Sequence, residues 1–228
     1  MRNQQSAEKL VKISDGTVEV HSIFNTIQGE GPYVGVPAVF VRLAGCNIQC
    51  PNCDTEYTKG RYAATPEAVV QQIWSVRSPN TKLVVITGGE PFRQPLGPLV
   101  RHLLFCGFQV QIETNGTLFQ DLPYEDITVV CSPKTGSINR LLASKLNALK
   151  YVVDARSLGS DWLPERALDH GSSLLARPPK DFTGRIYLQP YDSEDSTENL
   201  IHQRTTVSAC MATGYTLCLQ THKIIGLE

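Results

Sequence analysis

With 228 residues, 41% of them hydrophobic and 19% charged, the chain is long enough for a domain of ordinary to large size and too apolar to be disordered. A formal net charge of −1 with no sustained basic run excludes sequence-independent binding to nucleic acid. No apolar stretch approaches the roughly 20 residues needed to span a bilayer, and the polar start lacks the apolar core of a secretory signal. Seven cysteines, an odd number without a framework of paired spacings, point to a reducing, cytoplasmic setting with thiols free or bound to metal.

In chain order, residues 1–16 read as a loosely ordered preface and residues 17–228 as one domain. Apolar-rich runs at 18–24 and 38–43 predict strands, separated by a glycine-rich loop at 28–37. Thr65, followed by Pro66 and Glu67, is a helix start, and Val69, Ile73 and Val76 fit one helix face. Short β-branched runs follow at 83–86, 109–112, 128–130, 151–153, 185–188 and 216–219. Helices are predicted at 99–106, 138–149 and Ser196–Thr213, with Gly107 and Gly214 as stops for the first and last. The stretches 118–126 and 155–183 read as loops or distorted helices. This alternation predicts an α/β fold, a partial and open TIM-like barrel of about six mainly parallel strands. Functional groups in such sheets sit at the carboxyl ends of strands.

Chemistry is concentrated at two of those ends. Cys46, Cys50 and Cys53 form a C-x3-C-x2-C loop after the second strand, and Gly45 permits a tight turn before the first ligand. Three thiolates can hold three irons of a 4Fe–4S cube and leave the fourth without a protein ligand, whereas a structural zinc site asks for four. A zinc loop completed by a distant histidine is the alternative. Cys106, Cys131, Cys210 and Cys218 lie in apolar contexts and read as small buried hydrophobes. The second strand end is Thr87-Gly88-Gly89-Glu90-Pro91, where paired glycines allow close backbone approach and Glu90 could grip an ammonium group.

Together these motifs resemble the radical S-adenosylmethionine superfamily. The resemblance implies that Cys46, Cys50 and Cys53 bind a 4Fe–4S cluster whose open iron chelates S-adenosylmethionine. An electron from the cluster then yields a 5′-deoxyadenosyl radical, and the Gly89-Glu90 strand end holds the methionine amino group. Within that superfamily, the loop Gln28-Gly29-Glu30-Gly31-Pro32, the strand end Val41-Arg42-Leu43, Cys131-Ser132-Pro133-Lys134, Leu188-Gln189-Pro190 and the tail Gln220-Thr221-His222-Lys223 look together like the 7-carboxy-7-deazaguanine synthase family.

That resemblance implies a radical ring contraction of 6-carboxy-5,6,7,8-tetrahydropterin with loss of ammonia, in the pathway to queuosine and related 7-deazapurines. Arg42 offers a planar fork to the substrate carboxylate. Ile27, Gln28, Gly29 and Glu30 supply the amide, backbone and carboxylate needed to read a pterin, and Thr87 lines the same site. Thr55 would bind Mg2+ as a hard, weak oxygen ligand. Asn52, Asp54, Ser132, Pro133, Lys134 and Gln189 would complete the cofactor pocket. The tail would fold over the substrate, bringing His222 and the terminal carboxylate of Glu228 to it. The family further implies a homodimer, and a flavodoxin-like electron donor is the expected partner. Glu113 faces the expected site without an assigned role. A glycyl-radical activating enzyme, acting on a protein, is the rival reading; it lacks both the Gln28 loop and the Gln220 tail.

Overall fold

The computed structural model describes residues 3–11, 16–170 and 174–227. Among these residues, nine strands form a single sheet, β1 (Val18–Ile27), β2 (Pro37–Leu43), β3 (Tyr62–Ala64), β4 (Leu83–Gly88), β5 (Gln109–Thr114), β6 (Ile127–Cys131), β7 (Ala148–Val153), β8 (Arg185–Pro190) and β9 (Thr216–Leu217), in the order β3-β1-β2-β4-β5-β6-β7-β8-β9. From β2 to β9 every neighbouring pair is parallel. At the other edge β1 pairs antiparallel with both β2 and β3. The sheet is mixed, mostly parallel and open, since β3 and β9 stand at its two ends.

Eight of the nine strands fall on runs predicted from the sequence; the one not predicted is the three-residue β3 after the cysteine loop. β3 is too short to carry a sequence period and is specified only by its pairing with β1.

Alternation along the parallel strands explains how the sheet serves a site. Val39, Val41 and Leu43 of β2, Val84 and Ile86 of β4, Val110 and Ile112 of β5, and Leu149, Tyr151 and Val153 of β7 belong to one large buried cluster. Helices cover that face. In α1 (Pro66–Val76) Thr65 caps the start by accepting from Ala68 N, and Val69, Val70 and Ile73 are buried. In α2 (Gly97–Phe105) Leu99, Val100 and Leu103 are buried. Burying a side chain such as Leu99 or Ile86 completely stabilises the fold by roughly 1.5–3 kcal/mol. The opposite, concave face carries the alternate residues: Phe40 and Arg42, Thr87, Gln111 and Glu113, Lys150 and Val152, and Gln189.

The helix expected over 138–149 is only four residues long, α3 (Arg140–Ala143), followed by β7. Asn147 ends the helical run: its N–H donates to Val129 O (3.0 Å), and its side-chain oxygen accepts from Val129 N (2.7 Å). These bonds hand Ala148 and Leu149 to the sheet. The expected final long helix, α4 (Ser196–Thr213), is present; Asp195 caps it and Gly214 ends it in the left-handed conformation. Beyond the one-turn segment Ala155–Ser157, the described part of 155–183 is irregular. A short helix, α5 (Thr221–Ile224), carries the tail motif. No helix among the described residues is long and apolar enough to cross a membrane.

Candidate active site

A cavity of about 410 Å³ opens at the carboxyl ends of the parallel strands. Cys46, Cys50 and Cys53 line it together with Arg42 from β2, Thr87 from β4 and Glu113 from β5. Lys150 of β7 and Gln189 of β8 close the far wall, and His222 of the tail reaches it from above the sheet edge. Arg42, Thr87, Glu113, Lys150 and Gln189 all lie on the concave face.

The cysteine loop is fitted against the end of β4 through backbone alone. Gly89 N–H donates to Leu43 O (3.2 Å) and Glu90 N–H to Gly45 O (2.9 Å). A methyl group on Gly89 would stand 2.1 Å from Gly45 O and 2.9 Å from Cys46 Cβ, so only glycine permits this approach. Glu90 itself is fully buried, and its carboxylate accepts from Phe92 N (2.9 Å), Thr114 Oγ1 (2.7 Å) and Asn115 N (2.7 Å). It ties the ends of β4 and β5 together and is not on the cavity wall. The backbone of Gly88 and Gly89, next to it in the chain, faces the cavity.

Burial pushes the Cys46 thiol up to about 12 and that of Cys50 to about 11. Cys53 is raised for the same reason. The free thiols are thus protonated, and a bound metal would displace those protons. Lys134, within hydrogen-bonding reach of the Ser132 hydroxyl and carbonyl, sits close to Cys50 and Cys53; burial lowers its pKa.

On the other side, loop and tail lock together. His222 rests on Gly29, where a methyl group would fall 1.9 Å from its Nδ1. The N–H and hydroxyl of Thr221 donate to Gly29 O (3.2 and 3.3 Å), and Gln220 Nε2 donates to Glu30 Oε1 (2.9 Å). The second oxygen of Glu30 is bonded to Lys150. Burial works against the Glu30 charge, but Lys150 and Gln220 outweigh it and hold the carboxyl well below the usual range. Burial would likewise neutralise Lys150, and Glu30 and Glu113 together keep it charged. Gln28 adds a second branch: its Nε2 donates to Glu113 Oε1 (3.0 Å), and its own Oε1 accepts from Glu30 N (3.0 Å). Burial lowers the His222 pKa, leaving a neutral imidazole at neutral pH. Arg42 lies 5.6 Å from the centre of the Phe24 ring and takes no carboxylate partner among the described residues.

Comparison with known proteins places this arrangement. The radical SAM superfamily model matches residues 41–130, which include the cysteine loop and the β4 end. A 7-carboxy-7-deazaguanine synthase of Rhodospirillum rubrum is 39% identical over 220 residues, 91% of this chain and 92% of that protein. One of Rickettsia prowazekii is 40% identical over 225 residues, 94% of this chain and 91% of its own. The crystal structure of QueE from Escherichia coli superposes with a TM-score of 0.68 at 25% identity, covering 89% of this chain and 93% of that one. The chain belongs to the 7-carboxy-7-deazaguanine synthase family. Membership of the radical SAM superfamily implies a 4Fe–4S cluster and S-adenosylmethionine.

The residues fit that implied pair. Three thiols line one cavity, and a cube takes one thiolate at each iron it binds to protein. Of the other residues expected from sequence, Ile27, Gln28, Glu30, Arg42, Asn52, Asp54, Thr55, Thr87, Gly89, Ser132, Lys134, Gln189 and His222 line the cavity. Gly29 lies behind it as the seat for His222, and Pro133 is off its wall. Glu228 lies outside the described residues.

Sequence reading missed Lys150 and Gln220 as the partners of Glu30. In this chain a lysine inside an otherwise apolar strand is a readable signal. Ala148, Lys150 and Val152 alternate with Leu149, Tyr151 and Val153, so Lys150 had to point away from the helix-covered core.

Proposed function

We propose that this chain converts 6-carboxy-5,6,7,8-tetrahydropterin into 7-carboxy-7-deazaguanine with loss of ammonia, in queuosine biosynthesis. Beyond family membership, the observation that carries the reading is the closure of the Gln220–Lys223 tail over the Gln28–Glu30 loop, beside an unpaired Arg42 and within the cysteine cavity. When bound, the cluster and S-adenosylmethionine supply the one-electron chemistry that abstracts hydrogen from substrate.

The chain's own residues bind and orient. Arg42 presents a planar pair of donors to the pterin carboxylate, and the Phe24 ring beside it restricts the guanidinium. Glu30, kept ionised by Lys150, accepts from the N–H groups of a guanine-like edge. Gln28 offers both a donor and an acceptor, and the neutral His222 imidazole does the same. Thr87, whose hydroxyl lies 3.4 Å from Glu113, extends that polar wall. Ser132, Lys134 and Gln189 supply polar contacts to the cofactor from the ends of β6 and β8, with Asn52 and Asp54 from the cysteine loop. Thr55 would hold Mg2+ weakly through its hydroxyl, and the ion would supply a hard Lewis acid for substrate oxygens. In this reading the enzyme is a cytoplasmic homodimer that takes its electron from a flavodoxin-like protein.

The test is anaerobic reconstitution followed by incubation with the tetrahydropterin and a reductant, with and without Mg2+. Product absorbance in the ultraviolet and 5′-deoxyadenosine are followed together. Magnesium-stimulated deazaguanine formation is the expected result. Cleavage of S-adenosylmethionine without any deazaguanine would overturn the reading and favour a protein substrate.

A further inference from the structure

Residues 3–11, expected to be a loose preface, form neither helix nor strand, yet their inward-facing groups are spent on the cysteine loop. Asn3 N–H donates to Pro51 O (2.7 Å) and Asn3 Nδ2 to Cys50 O (3.1 Å). Gln5 spans the bend after the third cysteine: its Nε2 donates to Thr55 O (2.8 Å), and its Oε1 accepts from Tyr57 N (2.8 Å). Glu8 N–H donates to Cys46 O (2.7 Å), and the Glu8 carboxylate pairs with Arg61 (2.7 Å) and Arg93 (3.4 Å). Arg93 is buried, donates to Ala44 O (2.9 Å), and bonds back to the segment through Lys9 O (3.1 Å). Asn3 and Gln5 are also bonded to one another, Gln5 N–H to Asn3 Oδ1 at 2.9 Å.

Two of the three cysteine residues thus have their carbonyls held by one short segment, and the bend after the third is held by the same segment. The loop from Ala44 to Tyr57 has no helix or strand of its own to fix these groups. Backbone groups left unpaired there would turn to water, and the spacing of the thiols would be free to vary.

We propose that residues 3–11 are a positioning strap: Asn3, Gln5 and Glu8 hold the cysteine loop in the shape that retains a four-iron cluster. The inference rests on the cluster reading above and adds a role that the cavity itself does not reveal. The strap touches neither substrate nor cofactor; it acts through the loop backbone.

The experiment compares anaerobically reconstituted wild-type protein with the Asn3→Ala/Gln5→Ala variant, both with untagged amino termini. Release of iron to a ferrous chelator is timed, and the electron paramagnetic resonance of the reduced cluster is recorded with and without S-adenosylmethionine. Circular dichroism melting of the cluster-free proteins is the control. The variant is expected to lose iron about tenfold faster, as removal of one to two net hydrogen bonds implies. Its resonance should broaden, and its melting should match wild type. Equal iron release and identical spectra would overturn the strap, as would faster release that merely tracks a lower melting temperature. A wild-type chain that binds no cluster would overturn the cluster reading and the strap with it; a loaded wild type beside an equally retentive variant overturns the strap alone.

Discussion

Replacing Gly29 with alanine isolates the contribution of the tail. The added methyl group would lie 1.9 Å from His222 Nδ1, 2.7 Å from Cγ and 2.9 Å from the His222 backbone nitrogen. The ring can rotate away, but the backbone nitrogen can retreat only if the tail moves. That motion loosens the two donors from Thr221 to Gly29 O and the bond from Gln220 to Glu30. Two neutral hydrogen bonds at about 1 kcal/mol each and one to a carboxylate at about 1.5–3 place roughly 3–5 kcal/mol of docking energy at stake. Losing half of it corresponds to a rise of roughly 10- to 70-fold in the KM for the pterin. The assay is anaerobic steady-state turnover with pterin varied, alongside limited proteolysis of the tail. We expect a higher KM, faster tail cleavage and continued formation of 5′-deoxyadenosine. An alanine variant with wild-type KM and a wild-type proteolysis pattern would refute the tail's role.

Arg42→Lys keeps the charge but not the planar fork, and kcat/KM for the pterin should fall by at least about tenfold; wild-type efficiency would dismiss Arg42 as the carboxylate receptor. Lys150→Met should strand the Glu30 carboxylate and lower stability by about 3–5 kcal/mol in urea unfolding, with Glu30→Gln in the same chain recovering much of the loss. The sign of the pH dependence should also change. In the wild type the Glu30 carboxyl is depressed below its reference of 4.5, so its contribution is complete above that value and fades as the pH falls toward the folded pKa. Without Lys150, burial raises the carboxyl instead, so acidification should relieve the variant; melting curves from about pH 6 to about pH 3 decide between the two. Asp195→Ala removes both capping bonds from α4 and should lower stability by about 1 kcal/mol, or about 2–4 °C, without altering iron content.

The cofactor half of the site is legible in the sequence because it is built from local runs. Cys46, Cys50 and Cys53 are close along the chain, and Gly88 and Gly89 follow a strand whose apolar run is plain. Glu90 shows where local reading stops. Its type suits an ammonium ligand, but its bonds to Thr114 and Asn115 exist only because the pairing of β4 with β5 brings them beside it. The Lys150–Glu30 pair was hidden for a related reason: its partners are 120 positions apart and meet only because the sheet curves. The early start of β7 and the early end of the helix before it share one cause, the bonds of Asn147 to β6, which draw Ala148 and Leu149 into the sheet. Residues 3–11 carried no apolar period at all, since they bond through polar side chains and backbone, and a pattern search has nothing there to find.

The contacts from Asn3, Gln5 and Glu8 to the cysteine loop join residues within about the first quarter of the chain, whereas the bond from Gln220 to Glu30 spans 190 positions. A chain emerging amino end first therefore completes the cradle of its metal centre well before the wall that confines the substrate. The reactive source and its enclosure are separated in the order of synthesis. A chain interrupted just before Gln220 would keep the cysteine loop with its strap and its β4 supports, and lack the tail that closes over the Gln28–Glu30 loop.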